Sequence, residues 1–163
     1  MASEIFPVLY TARHGETAWS ATGQHTGLTD LPLTERGERN AKRLRERLAG
    51  LRFAKVLTSP LQRAFRTCEL AGFGAVAEVD PDLVERNYGD YEGLRTAEIH
   101  AVRPGWQLFR DGCPNGESPQ DVALRSQLPR RATPRSGPGY RGRRIYARGP
   151  PCQPRLFEAL VRS

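Results

Sequence analysis

The sequence predicts an α/β three-layer sandwich on a mainly parallel sheet, and three observations predict it. Short apolar runs rich in β-branched and aromatic residues recur at 6–12, 54–58 and 75–79. The stretches after the first two carry a helical apolar period with capping residues, so the order is strand, helix, strand, helix, strand. Such alternation implies right-handed βαβ crossovers and a sheet covered on both faces. The pattern stops after Arg125, so the fold is expected to be incomplete at its C-terminus.

Taken in order, the run from Phe6 to Ala12 reads as a buried strand ending at Arg13, and 13–33 as a long polar loop. Thr34 is an N-cap, and Ala41, Leu44, Leu48 and Leu51 form one apolar face ahead of or beside Gly50, which makes an amphipathic helix. Ala54 to Thr58 is the second strand. Ser59-Pro60 then supplies an N-cap and an N1 proline, and Leu61, Ala64, Phe65 and Cys68 line a helix running up to Gly72. Ala75 to Val79 is the third strand. Residues 80–125 are less regular, with a short helix near 96–102 and another opening at Ser118-Pro119. Residues 126–163 hold six prolines and four glycines and show no period before Leu156. That composition cannot offset its ordering entropy, so the chain divides into a domain at 1–125 and a basic Pro/Gly/Arg-rich tail.

Charge divides at the same point. Residues 1–125 carry 16 Lys and Arg against 17 Asp and Glu, whereas 126–163 carry 9 Arg and only Glu158, so the net +7 belongs to the tail. A nucleic-acid partner is therefore not expected for the near-neutral body, and could come only through the tail. Three scattered cysteines make neither a disulfide framework nor a zinc spacing, and the N-terminal run is too short for a signal peptide or membrane span. A soluble, cytoplasmic protein without a membrane partner is expected; the sequence does not speak to oligomeric state.

Arg13-His14-Gly15-Glu16 sits past the carboxyl end of the first strand, where open α/β sheets place their ligand crevice. An isolated loop histidine is more often a bystander than a reagent, but its neighbours argue otherwise. Arg13 can clamp an anion, Gly15 lets backbone approach a ligand, and an imidazole nitrogen can attack phosphorus. Arg63 falls in the first turn of the second long helix, where free N–H groups favour anions. Glu85, after the Asp80-Pro81-Asp82 turn, could protonate a leaving alkoxide and then deprotonate water.

RHGETAWSATGQHTGLTDLPLTERG, SPLQRAFRTCEL and ERNYGDYEG together resemble the histidine phosphatase, or phosphoglycerate mutase-like, superfamily over about residues 6–125. The resemblance implies that His14 becomes phosphorylated, that Arg13 and Arg63 bind the transferred phosphoryl group, and that Glu85 donates the proton. It implies substrate contacts from the 20–27 loop, at Ser20, Thr26 and Gly27, and from Tyr88; many relatives carry Asn where Ser20 stands. The loop wording is more similar to sugar-phosphate phosphatases than to true mutases. The implied activity is hydrolysis of a small phosphate ester through phosphohistidine, with no cofactor and no metal. Phosphoglycerate mutase activity and a non-catalytic phosphate-binding relative are the alternatives.

One departure from the family pattern is a second histidine, which completes the phosphate pocket in relatives: no histidine follows His100, and His100 itself reads as a solvated helix residue. The missing histidine and the loss of pattern begin together, as they would if a frameshift near codon 125 produced the tail. Impaired activity is the expectation. A rival is the magnesium-dependent aspartate-nucleophile chemistry suggested by Asp80-Pro81-Asp82-Leu83-Val84, although Asp-Pro-Asp is also an ordinary turn.

Overall fold

The computed structural model describes residues 8–125 and the backbone of 158–162. Four strands form one sheet: β1 (Val8–Ala12), β2 (Lys55–Thr58), β3 (Ala77–Val79) and β4 (Glu158–Arg162), in the spatial order β1-β4-β2-β3. β2 and β3 pair in parallel, with Val56 opposite Ala77. β4 runs antiparallel to both neighbours, placing Leu160 opposite Tyr10 on one side and Val56 on the other. β1, β2 and β3 therefore share one direction, the mainly parallel sense that βαβ units require.

Between the strands lie α1 (Ala18–Thr22), α2 (Glu35–Arg47) and α3 (Gln62–Leu70). After β3 come α4 (Thr96–Val102), α5 (Leu108–Asp111) and α6 (Pro119–Arg125), with 3₁₀ turns at Pro81–Leu83 and Gly89–Tyr91. α2 starts as expected, because the Thr34 hydroxyl accepts the Gly37 N–H. α1 lies inside the stretch expected to be loop. It is five residues long and held by a capping box between Thr17 and Ser20, too short for a periodic apolar signal.

The start of α3 corrects the expected Ser59-Pro60 cap. The helix begins at Gln62; Leu61 is its N-cap and offers no capping side chain, while the Ser59 hydroxyl accepts the Leu61 N–H at 3.3 Å. The cap comes from a distant loop. Asp30 Oδ1 accepts the Gln62 N–H at 2.8 Å, and the Asp30 carbonyl accepts the Gln62 side-chain amide at 2.7 Å. A carboxylate thus already occupies the anion-favouring end of the helix.

The far end of the segment expected to be an unstructured tail contributes β4, whose Ala159-Leu160-Val161 is a short apolar run. The rest of the tail, and Phe6 and Pro7 of the expected first strand, lie outside the described residues.

Two clusters make the core. Val56 and Cys68 pack with Tyr10, Leu48, Phe53, Phe73 and Ala77 between the sheet and α2 and α3; Phe53 meets Tyr10 and Phe73 edge to face at 5.5 and 5.3 Å. Tyr88, Tyr91, Ile99, Trp106 and Cys113 form the second, beneath the loops that follow β3. Strand alternation turns Leu9 away from the helix-covered face, and it is 41% exposed.

Candidate active site

The loop after β1 is fixed from two sides. The Gly15 N–H donates to the Thr67 hydroxyl on α3 at 2.9 Å, and that hydroxyl donates to the Arg63 carbonyl at 2.7 Å. On the other side the loop backbone lies directly against α2. A Cβ on Gly15 would sit 2.5 Å from the Gly37 carbonyl oxygen, and one on Gly37 would sit 2.2 Å from the Glu16 carbonyl oxygen. Gly15 is therefore required for the close contact of its loop with α2.

His14 emerges from this clamp with Nδ1 2.7 Å from the Gly15 carbonyl oxygen. A carbonyl only accepts, so Nδ1 carries the proton and Nε2 keeps its lone pair. Burial pushes the imidazole pKa down to about 4, with Arg63 and Arg13 adding to the shift against the Gly15 hydrogen bond. The ring is neutral at pH 7.

Arg63 is only 1% exposed, although it is a cation. Its guanidinium donates to the carbonyls of Gly27 at 2.7 Å and Thr29 at 3.0 Å, which leaves further N–H groups for an anion. Burial lowers its pKa against the attraction of Glu85, Asp30 and Glu92. Arg13 is likewise lowered by burial and held up by Glu85 and Tyr88.

Burial raises the Glu85 pKa, and the opposing pulls come from the Arg86 N–H, Arg63, Arg13 and Arg125. Oε1 accepts the Arg86 N–H at 2.9 Å. The loop around Glu85 is pinned from α6. Arg125 donates to the carbonyls of Asp82 and Val84 and pairs with Glu117, and Glu117 accepts the Asn87 N–H at 2.7 Å. Arg13 and Arg63 thus lie near enough to both His14 and Glu85 to bias their ionisation.

The expected substrate-side residues divide by environment. Tyr88 is buried and stacked on His25 with ring centroids 4.8 Å apart, and burial together with Glu85 raises its phenol pKa. Gly27 is enclosed, since a Cβ there would lie 2.1 Å from the Arg86 carbonyl oxygen. Among the described residues Thr26 bonds its own loop, donating to the Gln24 carbonyl. The Ser20 hydroxyl accepts the Thr17 N–H at 2.8 Å and faces the Thr17 carbonyl at 3.1 Å, so it is engaged in capping α1. His25 belongs to the aromatic core, and exposed His100 bonds the Trp106 carbonyl; neither joins His14. Asp80 caps its own turn by accepting the Asp82 N–H.

Thr67, Gly37, Asp30 and Glu92 are the supporting residues that sequence reasoning missed. ERNYGDYEG contains Glu92 but no local signal of its partners. Among the described residues, no group of three or more His, Cys, Asp and Glu is arranged to hold a metal ion, and no helix is long and apolar enough to cross a membrane.

The family model described as histidine phosphatase superfamily (branch 1) matches residues 9–139. A sedoheptulose 1,7-bisphosphatase of Saccharomyces cerevisiae is 40% identical over 144 residues, covering 74% of this chain and 53% of that enzyme. An acid phosphatase of Mycobacterium tuberculosis is 43% identical over 116 residues, covering 70% and 57%. The solved structure of a Mycobacterium tuberculosis open reading frame product superposes with a TM-score of 0.68 at 42% identity, over 73% of this chain and 62% of that one. A mycobacterial glucosyl-3-phosphoglycerate phosphatase gives 0.65 at 33% identity, over 74% and 59%. The chain spans little more than half the length of these two curated relatives.

Proposed function

The chain belongs to the histidine phosphatase superfamily, and from that premise we propose that it hydrolyses a small phosphomonoester through a phosphohistidine at His14. The observation that carries the proposal is the His14 Nδ1 contact with the Gly15 carbonyl, which leaves Nε2 as an unprotonated nucleophile beside two arginines.

Arg13 and Arg63 clamp the phosphoryl oxygens, each charge-assisted hydrogen bond contributing roughly 1.5–3 kcal/mol. Nε2 attacks phosphorus, the ester P–O bond breaks, and protonated Glu85 gives its proton to the departing alkoxide. The Glu85 carboxylate then takes a proton from water, whose oxygen attacks the phosphohistidine. Inorganic phosphate leaves and His14 is restored.

The sedoheptulose 1,7-bisphosphatase and glucosyl-3-phosphoglycerate phosphatase relatives support a sugar phosphate or phosphoglycerate-like ester as substrate. A probable phosphoglycerate mutase of Cronobacter sakazakii, 37% identical over 119 residues, keeps transfer to a second hydroxyl as the alternative. Cytoplasmic residence is our reading from the scattered cysteines, of which Cys113 is a buried free thiol.

Among the described residues neither His25 nor His100 joins His14, whereas the family resemblance implies a second histidine in the pocket, so our reading carries an expectation of impaired activity. Turnover about 10²–10³ below that of a complete site is expected. Hydrolysis of p-nitrophenyl phosphate checks the reading. It should survive EDTA, and hydrolysis of a second, alkyl phosphate with a poor leaving group should fall sharply in Glu85→Gln. Loss on chelation would instead favour a metal-dependent hydrolase.

A further inference from the structure

Three backbone residues, 27 to 29, are held by two opposite charges at once. Glu92 Oε1 accepts the N–H groups of Gly27 at 2.7 Å and Thr29 at 3.1 Å. The carbonyls of the same two residues accept from Arg63 at 2.7 and 3.0 Å. The loop therefore forms a polar bridge, with carboxylate on its donors and guanidinium on its acceptors. Neighbouring residues have other ties, since His25 pairs with Leu94 and Gly93 and the Gln24 side chain bonds the Gly93 carbonyl. Among the described residues, the Gly27 and Thr29 N–H groups have Glu92 as their hydrogen-bond partner.

The second carboxylate oxygen is unusual. Among the described residues Glu92 Oε2 is buried and has no hydrogen-bond partner, and it would lie 2.8 Å from a Cβ added to Gly27. A buried, half-satisfied carboxylate is costly, and a neutral acceptor could have bonded the same two N–H groups. The feature specific to a carboxylate is its charge, which attracts Arg63 through the bridge.

We infer that Glu92 is a positioning residue: by fixing residues 27–29 it sets the Arg63 guanidinium at the height at which its remaining N–H groups meet a phosphoryl group. This inference rests on the phosphate-binding reading of Arg63. Glu92 touches no reacting atom and acts through the peptide groups of Gly27 and Thr29.

The test needs no turnover. Affinity for inorganic phosphate is measured by calorimetry on the full chain, wild type against Glu92→Gln, with Glu46→Gln on the exposed face of α2 as control. The Gln variant retains an acceptor for the two N–H groups and loses the charge. Phosphate affinity should fall about tenfold in Glu92→Gln with the thermal midpoint little changed, and not in Glu46→Gln. The His14 ring, followed by NMR, should titrate at a higher pH in Glu92→Gln, because displaced Arg63 no longer disfavours imidazolium. A lowered thermal midpoint with unchanged affinity and unchanged His14 titration would overturn the inference and leave Arg63 as a phosphate ligand. A wild-type chain that binds no phosphate would overturn both.

Discussion

His14 and Glu85 are driven in opposite directions by the same burial. The imidazole is held neutral down to about pH 4, while the carboxyl keeps its proton above its ordinary 4.5. A free enzyme with neutral His14 and protonated Glu85 should therefore show a kcat/KM profile with an acid limb near pH 4 and an alkaline limb set by Glu85. A profile whose acid limb falls near 6.5 would contradict the burial of His14. The same shift bears on stability. Between pH 6.5 and about 4 the unfolded chain binds a proton at His14 that the native state refuses, so stability falls as pH drops through that window. The loss is up to about 3 kcal/mol before solvent screening is allowed for. Glu85 works the other way, since its raised pKa favours the native state at low pH and that contribution fades as pH rises through the native value. Comparing urea midpoints of wild type and His14→Ala at pH 7 and pH 4 checks the sign: the variant should gain relative to wild type in acid.

At the scale of elements, the site depends on how α2, α3 and α6 hold their loops. Gly37 allows the His14 loop to lie on α2, and a Cβ there would meet backbone at 2.2 Å, which cannot rotate away. Gly37→Ala should destabilise by about 1–3 kcal/mol, even though alanine is the better helix former. A stabilised variant in chemical denaturation would refute the packing account. The elements also show what the sequence could and could not disclose. Thr34 as a cap, the apolar face of α2 and the group Arg13, His14, Arg63 and Glu85 were legible, because each signal is local or follows strand order. Asp30 capping α3, Thr67 holding Gly15 and Glu92 holding Gly27 were not, because their partners lie 32, 52 and 65 residues away. A Ser-Pro pair looks like a cap wherever it occurs; only the tertiary structure shows that another loop took the position. α1 escaped for a different reason, five residues being too few to express a period.

At the scale of the whole molecule, three strands of common direction and one reversed strand form the sheet, and the reversed strand comes from the far end of the chain. β4 sits between β1 and β2 in that sheet, while within residues 8–125 the Arg125 guanidinium ties α6 to the loop bearing Glu85. Two arginines, a neutral imidazole and a carboxyl of raised pKa come together within that part of the chain, the combination that the proposed phosphoryl transfer to His14 requires. Incubating the purified chain with a ³²P-labelled phosphomonoester, quenching in base and testing the stability of the protein-bound label measures it directly. An acid-labile label present in the wild type with or without EDTA and absent from His14→Ala is the predicted result; a label that is acid-stable, or that persists in His14→Ala, would contradict it.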